Sequence, residues 1–168
     1  MPASFKEIQR FSPWIQWTIS LVLVPLGLLT LYGSYQQIIV GVPFGTKPGS
    51  DSALIIITLF SFSFVLLFQL LHLKTTIDHS KITIYFFPFT KRTLHWSEIL
   101  RADIIDYGFV FGWGIRLTHK HGTVYNTKGR IGLALQLKNG KKLIIGTQKR
   151  TELAAFLKEN KLPLPTPN

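Results

Sequence analysis

Hydrophobic and polar positions divide the chain into two textures. No Asp, Glu, Lys or Arg occurs between Arg10 and Lys47, and a second uncharged run extends from Ser52 to Leu71. Ile15–Tyr35 within the first run reads IQWTISLVLVPLGLLTLYGSY. A helix of that length rises about 31 Å, matching a hydrocarbon core of roughly 30 Å. Trp14 and Trp17 lie near one end and Tyr32 and Tyr35 near the other, as expected of interfacial aromatic belts. Pro25 and Gly27 sit mid-span, where a membrane helix tolerates them at the cost of a kink. The second run centres on ALIIITLFSFSFVLLFQLL. Its Ile-Ile-Ile-Thr would suit a buried strand, but a run this long favours a second span. Ser61 and Ser63 can bond to the preceding turn or a neighbouring helix. The link from Gln36 to Asp51 holds Pro43, Pro48 and three glycines and is too short for a domain.

From Lys74 onward the period shortens. Ile82, Ile84 and Phe86 alternate with Thr83, Tyr85 and Phe87, and Ile131, Leu133, Leu135 and Leu137 alternate likewise. Further strands are expected over Thr75–Asp78, around Leu94, over 99–107, 115–118, 123–126 and 143–145. Asn139-Gly140 predicts a hairpin with a type I′ turn. Leu153, Phe156 and Leu157 then fall at helical spacing from about Gln148 to Glu159, with Thr147 placed to cap the start and Pro163, Pro165 and Pro167 ending the pattern. The expected fold class is α+β, with a two-helix transmembrane hairpin followed by about seven short strands in a compact barrel-like or orthogonal sandwich arrangement and a C-terminal helix plugging one end. The expected layout is an N-terminal tail over 1–13, the hairpin over 14–73, the β domain over 74–162 and a Pro-rich tail over 163–168.

Composition supports this division. Of 168 residues, 16% are charged, against roughly 25% in soluble domains. Absence of cysteine excludes disulfides, a thiol nucleophile and Cys-ligated metal. The net charge of +11 is concentrated after the second run, where 16 Lys+Arg oppose 6 Asp+Glu. Lys6 and Arg10 against Glu7, and Lys74 and Lys81 against Asp78, flank a neutral link. The positive-inside rule places both termini in the cytoplasm. A cleaved signal peptide is the competing reading of the first run. Its apolar region exceeds the usual 7–15 residues and no A-x-A site follows.

Enzyme signatures are missing: the chain holds no P-loop, dinucleotide fingerprint, H-E-x-x-H or G-x-S-x-G. No catalytic, cofactor-binding or metal residue is assigned. His119 and His121 lack a nearby acidic third ligand, and Asp103 and Asp106 fall on opposite sides of a strand. The candidate contact residues are basic and aromatic. Lys91 and Arg92 follow Phe86-Phe87-Pro88-Phe89-Thr90, a loop suited either to lipid headgroups, with Phe89 entering the interface, or to a solvated turn. Trp113, between Gly112 and Gly114, either meets a partner or fills the barrel end, with Arg116 opposite Ile115 and Leu117. Lys138, Lys141, Lys142, Lys149 and Arg150, with Lys128 and Arg130, form a broad basic surface that faces anionic lipid, an acidic protein or plain solvent, and Lys74 and Lys81 are further candidate contacts. A membrane anchor favours lipid or protein over nucleic acid, for which no stacking motif is evident.

The chain resembles the bacterial PH-like membrane proteins, in which one or two transmembrane helices precede a pleckstrin-homology-type domain. His95-Trp96-Ser97-Glu98-Ile99, Gly112-Trp113-Gly114-Ile115-Arg116, Leu133-x-Leu135-x-Leu137-x-Asn139-Gly140 and Ile145-Gly146-Thr147-Gln148 with Leu153 carry the resemblance, over about Thr75 to Lys161. It implies a partly open seven-stranded barrel capped by a C-terminal helix, in a bacterial inner-membrane protein of a family largely without assigned chemistry. The turn Asp78-His79-Ser80-Lys81 departs from the basic first hairpin of phosphoinositide-binding PH domains. The expected function is a non-catalytic adaptor or accessory subunit that binds other membrane subunits or its own copies, without a cofactor. The alternatives are a sensor of anionic cytoplasmic-leaflet lipid and a subunit of a membrane enzyme or transporter.

Overall fold

The computed structural model describes residues 4–110 and 112–160. The chain forms two compact units, one over Ser12–Leu70 and one built from the segments on either side of it.

The helical unit holds α1 (Pro13–Ser34), continued by a wider π-helical turn over Tyr35–Val40, and α2 (Asp51–Leu70). Pro13 starts α1 where its missing N–H costs nothing, and the helix continues through Pro25. Gly41, at φ +77°, ends the wider turn. Both helices are long and apolar enough to cross a membrane. Their polarity is inverted relative to a water-soluble pair: the buried positions are Gly27, Thr30, Gly33, Leu54, Thr58 and Ser61, while Trp17, Leu21, Ile39 and Leu59 point outward. Thr58 Oγ1 donates to Thr30 Oγ1 at 2.8 Å, and Thr30 Oγ1 donates to the Leu26 carbonyl at 3.0 Å. A Cβ at Gly27 would press on Ser61 and the Phe62 ring, so this glycine permits the close approach. Ser61 is buried with no hydrogen-bond partner among the described residues, and Ser63 is exposed.

Among the described residues, the β unit has nine strands in two sheets. β1 (Ser4–Arg10), β2 (His72–Asp78), β3 (Lys81–Phe87) and β4 (Thr90–His95) form an antiparallel meander. β5 (Ile99–Asp106), β6 (Gly114–Thr118), β7 (Gly122–Asn126), β8 (Ile131–Leu137) and β9 (Lys142–Gly146) form the second sheet in the order β5-β8-β9-β7-β6, with β7 and β9 parallel. α3 (Arg150–Glu159) follows. The core contains Leu73, Ile77, Ile82 and Ile84 from the first sheet, Leu133, Leu135, Leu143 and Ile145 from the second, and Leu153, Phe156 and Leu157 from α3. Each such side chain contributes about 1.5–3 kcal/mol on burial.

Several expectations change. Residues 4–10 of the expected tail are a strand, paired with β2 from Ser4↔Asp78 to Arg10↔His72. Its inward positions are Phe5, Glu7 and Gln9 and its outward positions Lys6, Ile8 and Arg10, so two of three core-facing residues are polar and the alternation is masked in the sequence. Among the described residues there are nine strands in two sheets, where about seven in a barrel-like or orthogonal sandwich arrangement were expected; β1 is the addition, and the strand expected around Leu94 runs over Thr90–His95. The turn at Asn139-Gly140 is not the two-residue type I′ form. The pairs Gln136↔Lys142 and Leu135↔Leu143 put Leu137 opposite Lys141, leaving a three-residue loop. Gly140 N–H donates to the Leu137 carbonyl at 2.9 Å, and Gly140 takes φ +81°, the type I turn plus left-handed glycine of three-residue hairpins. The Pro-rich segment 163–168, Lys161 and Phe111 lie outside the described residues.

Candidate functional site

Two of the recognised sequence motifs turn inward. Trp96, in a 3-10 turn between the sheets, donates its indole N–H to the Asp78 carbonyl at 2.8 Å. The Ile145-Gly146-Thr147-Gln148 segment receives β1. Gln9 Nε2 donates to the Gly146 carbonyl at 2.6 Å, Thr147 Oγ1 donates to Glu7 Oε2 at 2.6 Å, and Gln148 N–H donates to Glu7 Oε1 at 2.8 Å. Thr147 Oγ1 also accepts the Lys149 N–H at 3.1 Å, just ahead of α3. Helix α3 starts two residues later than its sequence suggests. A second buried network joins Asn126 to Tyr107 and Gly114: Asn126 Nδ2 donates to Tyr107 Oη at 3.3 Å and Gly114 N–H donates to Asn126 Oδ1 at 3.1 Å. Burial pushes the Tyr107 phenol above its ordinary value.

The expected contact residues separate by sheet. On the first sheet, Lys74 pairs with Tyr85 and Tyr85 with Lys91, so the two lysines share one outward-facing row. Arg92 pairs with Ile84 on the inward-facing row and is half-buried, so it parts company with Lys91 despite adjoining it. Lys81 stands at the far end of β3, opposite His95. Phe89 is 62% exposed in the β3–β4 turn. Lys6 and Arg10 join this outward face through β1, and the sequence reading omitted them. Their alternation with Glu7 and Gln9 was the available signal.

On the second sheet, Lys128 and Arg130 occupy the β7–β8 connection, and Arg130 pairs with Asp106 at 2.9 Å. Asp103 instead holds Arg101 at 2.6 Å, so the two aspartates serve separate ion pairs. Lys141 lies in the β8–β9 turn and Lys142 begins β9. Trp113 is half-buried just before β6, and the Arg116 guanidinium lies over Gly112, where a Cβ would collide with it. β6 is an edge strand with all three central residues exposed, Leu117 by 85%. Beside it, Leu117, Lys120 and His121 line a groove of about 430 Å³ with Tyr107, Phe109 and Val110. A neighbouring groove of about 320 Å³ shares Lys120 and His121 and adds Lys142, Ile144 and the Arg101–Asp103 pair. Partial burial, then Lys120 and Lys142, pull the His121 imidazole below its ordinary value.

These grooves present cations beside apolar strand edge, a chemistry of binding. No protein-family model matches the chain, and no curated protein matches it.

Proposed function

We propose that this protein is a non-catalytic, membrane-anchored adaptor. Its α1–α2 hairpin spans the bilayer, its β unit is a PH-like module in the cytoplasm, and that module captures an extended, acidic segment of a partner protein along β6. The carrying observation is the edge strand itself. Among the described residues β6 has a neighbour on one side only, Leu117 is 85% exposed, and the adjoining grooves bring Lys120, His121 and Lys142 together with one carboxylate, that of Asp103, already paired to Arg101. An added strand would take main-chain hydrogen bonds from β6, Leu117 would anchor an apolar side chain, and the lysines would select acidic neighbours. The inverted polarity of the helical unit supports the spanning hairpin, because only lipid makes outward Leu, Ile and Phe favourable around a small and polar helix–helix seam. The two sheets and C-terminal helix support the PH-like reading, with β1 and the parallel β7–β9 pair as departures.

The test is native purification of the full chain in mild detergent, beside a Leu117→Glu variant. A stoichiometric partner is expected with the wild type and is lost with L117E, since a carboxylate on the strand edge repels an acidic segment. A lone protein, or equal recovery of the partner with L117E, counts decisively against the proposal.

A further inference from the structure

The outward face of the first sheet carries a second surface, independent of β6. Register assembles it from four strands. Arg10 pairs with His72 and His72 with Phe87; one row further, Ile8 pairs with Lys74, Lys74 with Tyr85 and Tyr85 with Lys91. His72 stacks on Phe87 at 5.2 Å, and Tyr85 meets Phe87 edge-on at 5.7 Å. Arg10, Lys74 and Lys91 are exposed around these rings, with Lys6 one row beyond. Among the described residues, the nearest acidic group on this face is Asp78, three rows beyond His72 on the same strand, and its carboxylate accepts the Ser80 hydroxyl and the Ser80 and Lys81 N–H groups.

The position of this cluster along the chain identifies its occupant. Arg10 precedes α1 by three residues and His72 follows α2 by two. Arg10 and His72 are thus joined to the helices by linkers of only two residues and one residue, and Phe87 pairs with His72. The β3–β4 turn, with Pro88 and the exposed Phe89, follows directly from Phe87. Cations for phosphate and aromatic rings for the headgroup layer are the pair that an anionic bilayer surface selects.

We infer that this sheet face, with Lys6, Arg10, Lys74 and Lys91 as its phosphate-facing cations and Phe89 as its inserted ring, rests on an anionic lipid surface. The β unit is thereby held in one orientation, and the β6 edge is left open. Because the chain has no native cysteine, a single Phe89→Cys label reports cleanly. The full chain carrying a spin label at that site is placed in nanodiscs of neutral phosphatidylcholine, or of phosphatidylcholine with anionic phosphatidylglycerol. The expected result is lipid immersion of the label in the anionic discs, weakened by salt and reduced about fivefold for each of Lys74 and Lys91 neutralised. Lys128→Gln with Lys141→Gln, on the other sheet, should leave it unchanged. Equal immersion in neutral and anionic discs, or immersion indifferent to K74Q/K91Q, overturns the inference. Burial of the label only after a membrane extract is added, in both lipids alike, overturns it in favour of a protein occupant.

Discussion

His121 shows how single residues in this molecule take their behaviour from neighbours that the linear sequence separates. Lys120 adjoins it, but Lys142 arrives from β9 to line the same groove. Burial and the two ammonium groups favour the neutral ring, so the folded-state pKa lies below the ordinary 6.5. The folded state therefore binds fewer protons than the unfolded chain as pH falls. His121 contributes stability above pH 6.5 that is lost as pH drops through 6.5 toward the folded value. A ring-proton NMR titration of the full chain in micelles should give a midpoint below 6.5. Lys120→Gln with Lys142→Gln should raise that midpoint part of the way back, because burial remains; an unchanged midpoint would discard the electrostatic account. The sequence revealed which residue types could bind, but not their facing. Lys91 and Arg92 looked like one basic pair, and the pleat of β4 sends them to opposite sides. Lys6 and Arg10 looked like tail charges, and pairing with β2 makes them part of a sheet.

Among elements, the apolar helices and most later strands were legible because their hydrophobic period is uninterrupted. β1 was not, because its inward face uses Glu7 and Gln9, whose partners lie about 140 residues away. Glu7 is 4% exposed, and both carboxylate oxygens accept hydrogen bonds from the β9–α3 junction. Glu7→Ala strands the Thr147 hydroxyl and the Gln148 N–H, a loss of about 1–3 kcal/mol. Amide exchange along β1 should accelerate roughly tenfold to a hundredfold where it proceeds by release of that strand. Exchange unchanged in E7A would mean that strand pairing alone holds β1. The hairpin at Asn139-Gly140 was misread for a related reason: the dipeptide permits two loop lengths, and the β8–β9 register decides between them.

For the whole molecule, the pairing of Arg10 with His72 limits the topology. The segments on either side of the helical unit are neighbours in one sheet, so both lie in the same compartment. Reporters fused at Met1 and Asn168 should therefore agree, with a cytoplasmic signal, while one inserted after Gly45 reports the opposite side. A shared signal from all three would refute the spanning hairpin. Strand pairing requires that both flanking segments share one side irrespective of charge, while which side that is rests on the positive-inside expectation alone.

That pairing also sets an order of assembly. Sixty-one residues separate Arg10 from His72. Closing a flexible loop of that length costs roughly 3–4 kcal/mol of chain entropy, and contacts this remote in sequence form slowly. In the proposed spanning hairpin, helices already paired in the bilayer would bring their ends together and remove most of that cost. β1 emerges from the ribosome early but has nothing to pair with until the hairpin is in place and β2 has been made. On the same proposal, a chain whose helices failed to insert would leave β1 without its partners at the β9–α3 junction. On the spanning-hairpin proposal, insertion of the helices would thus come before completion of the β unit.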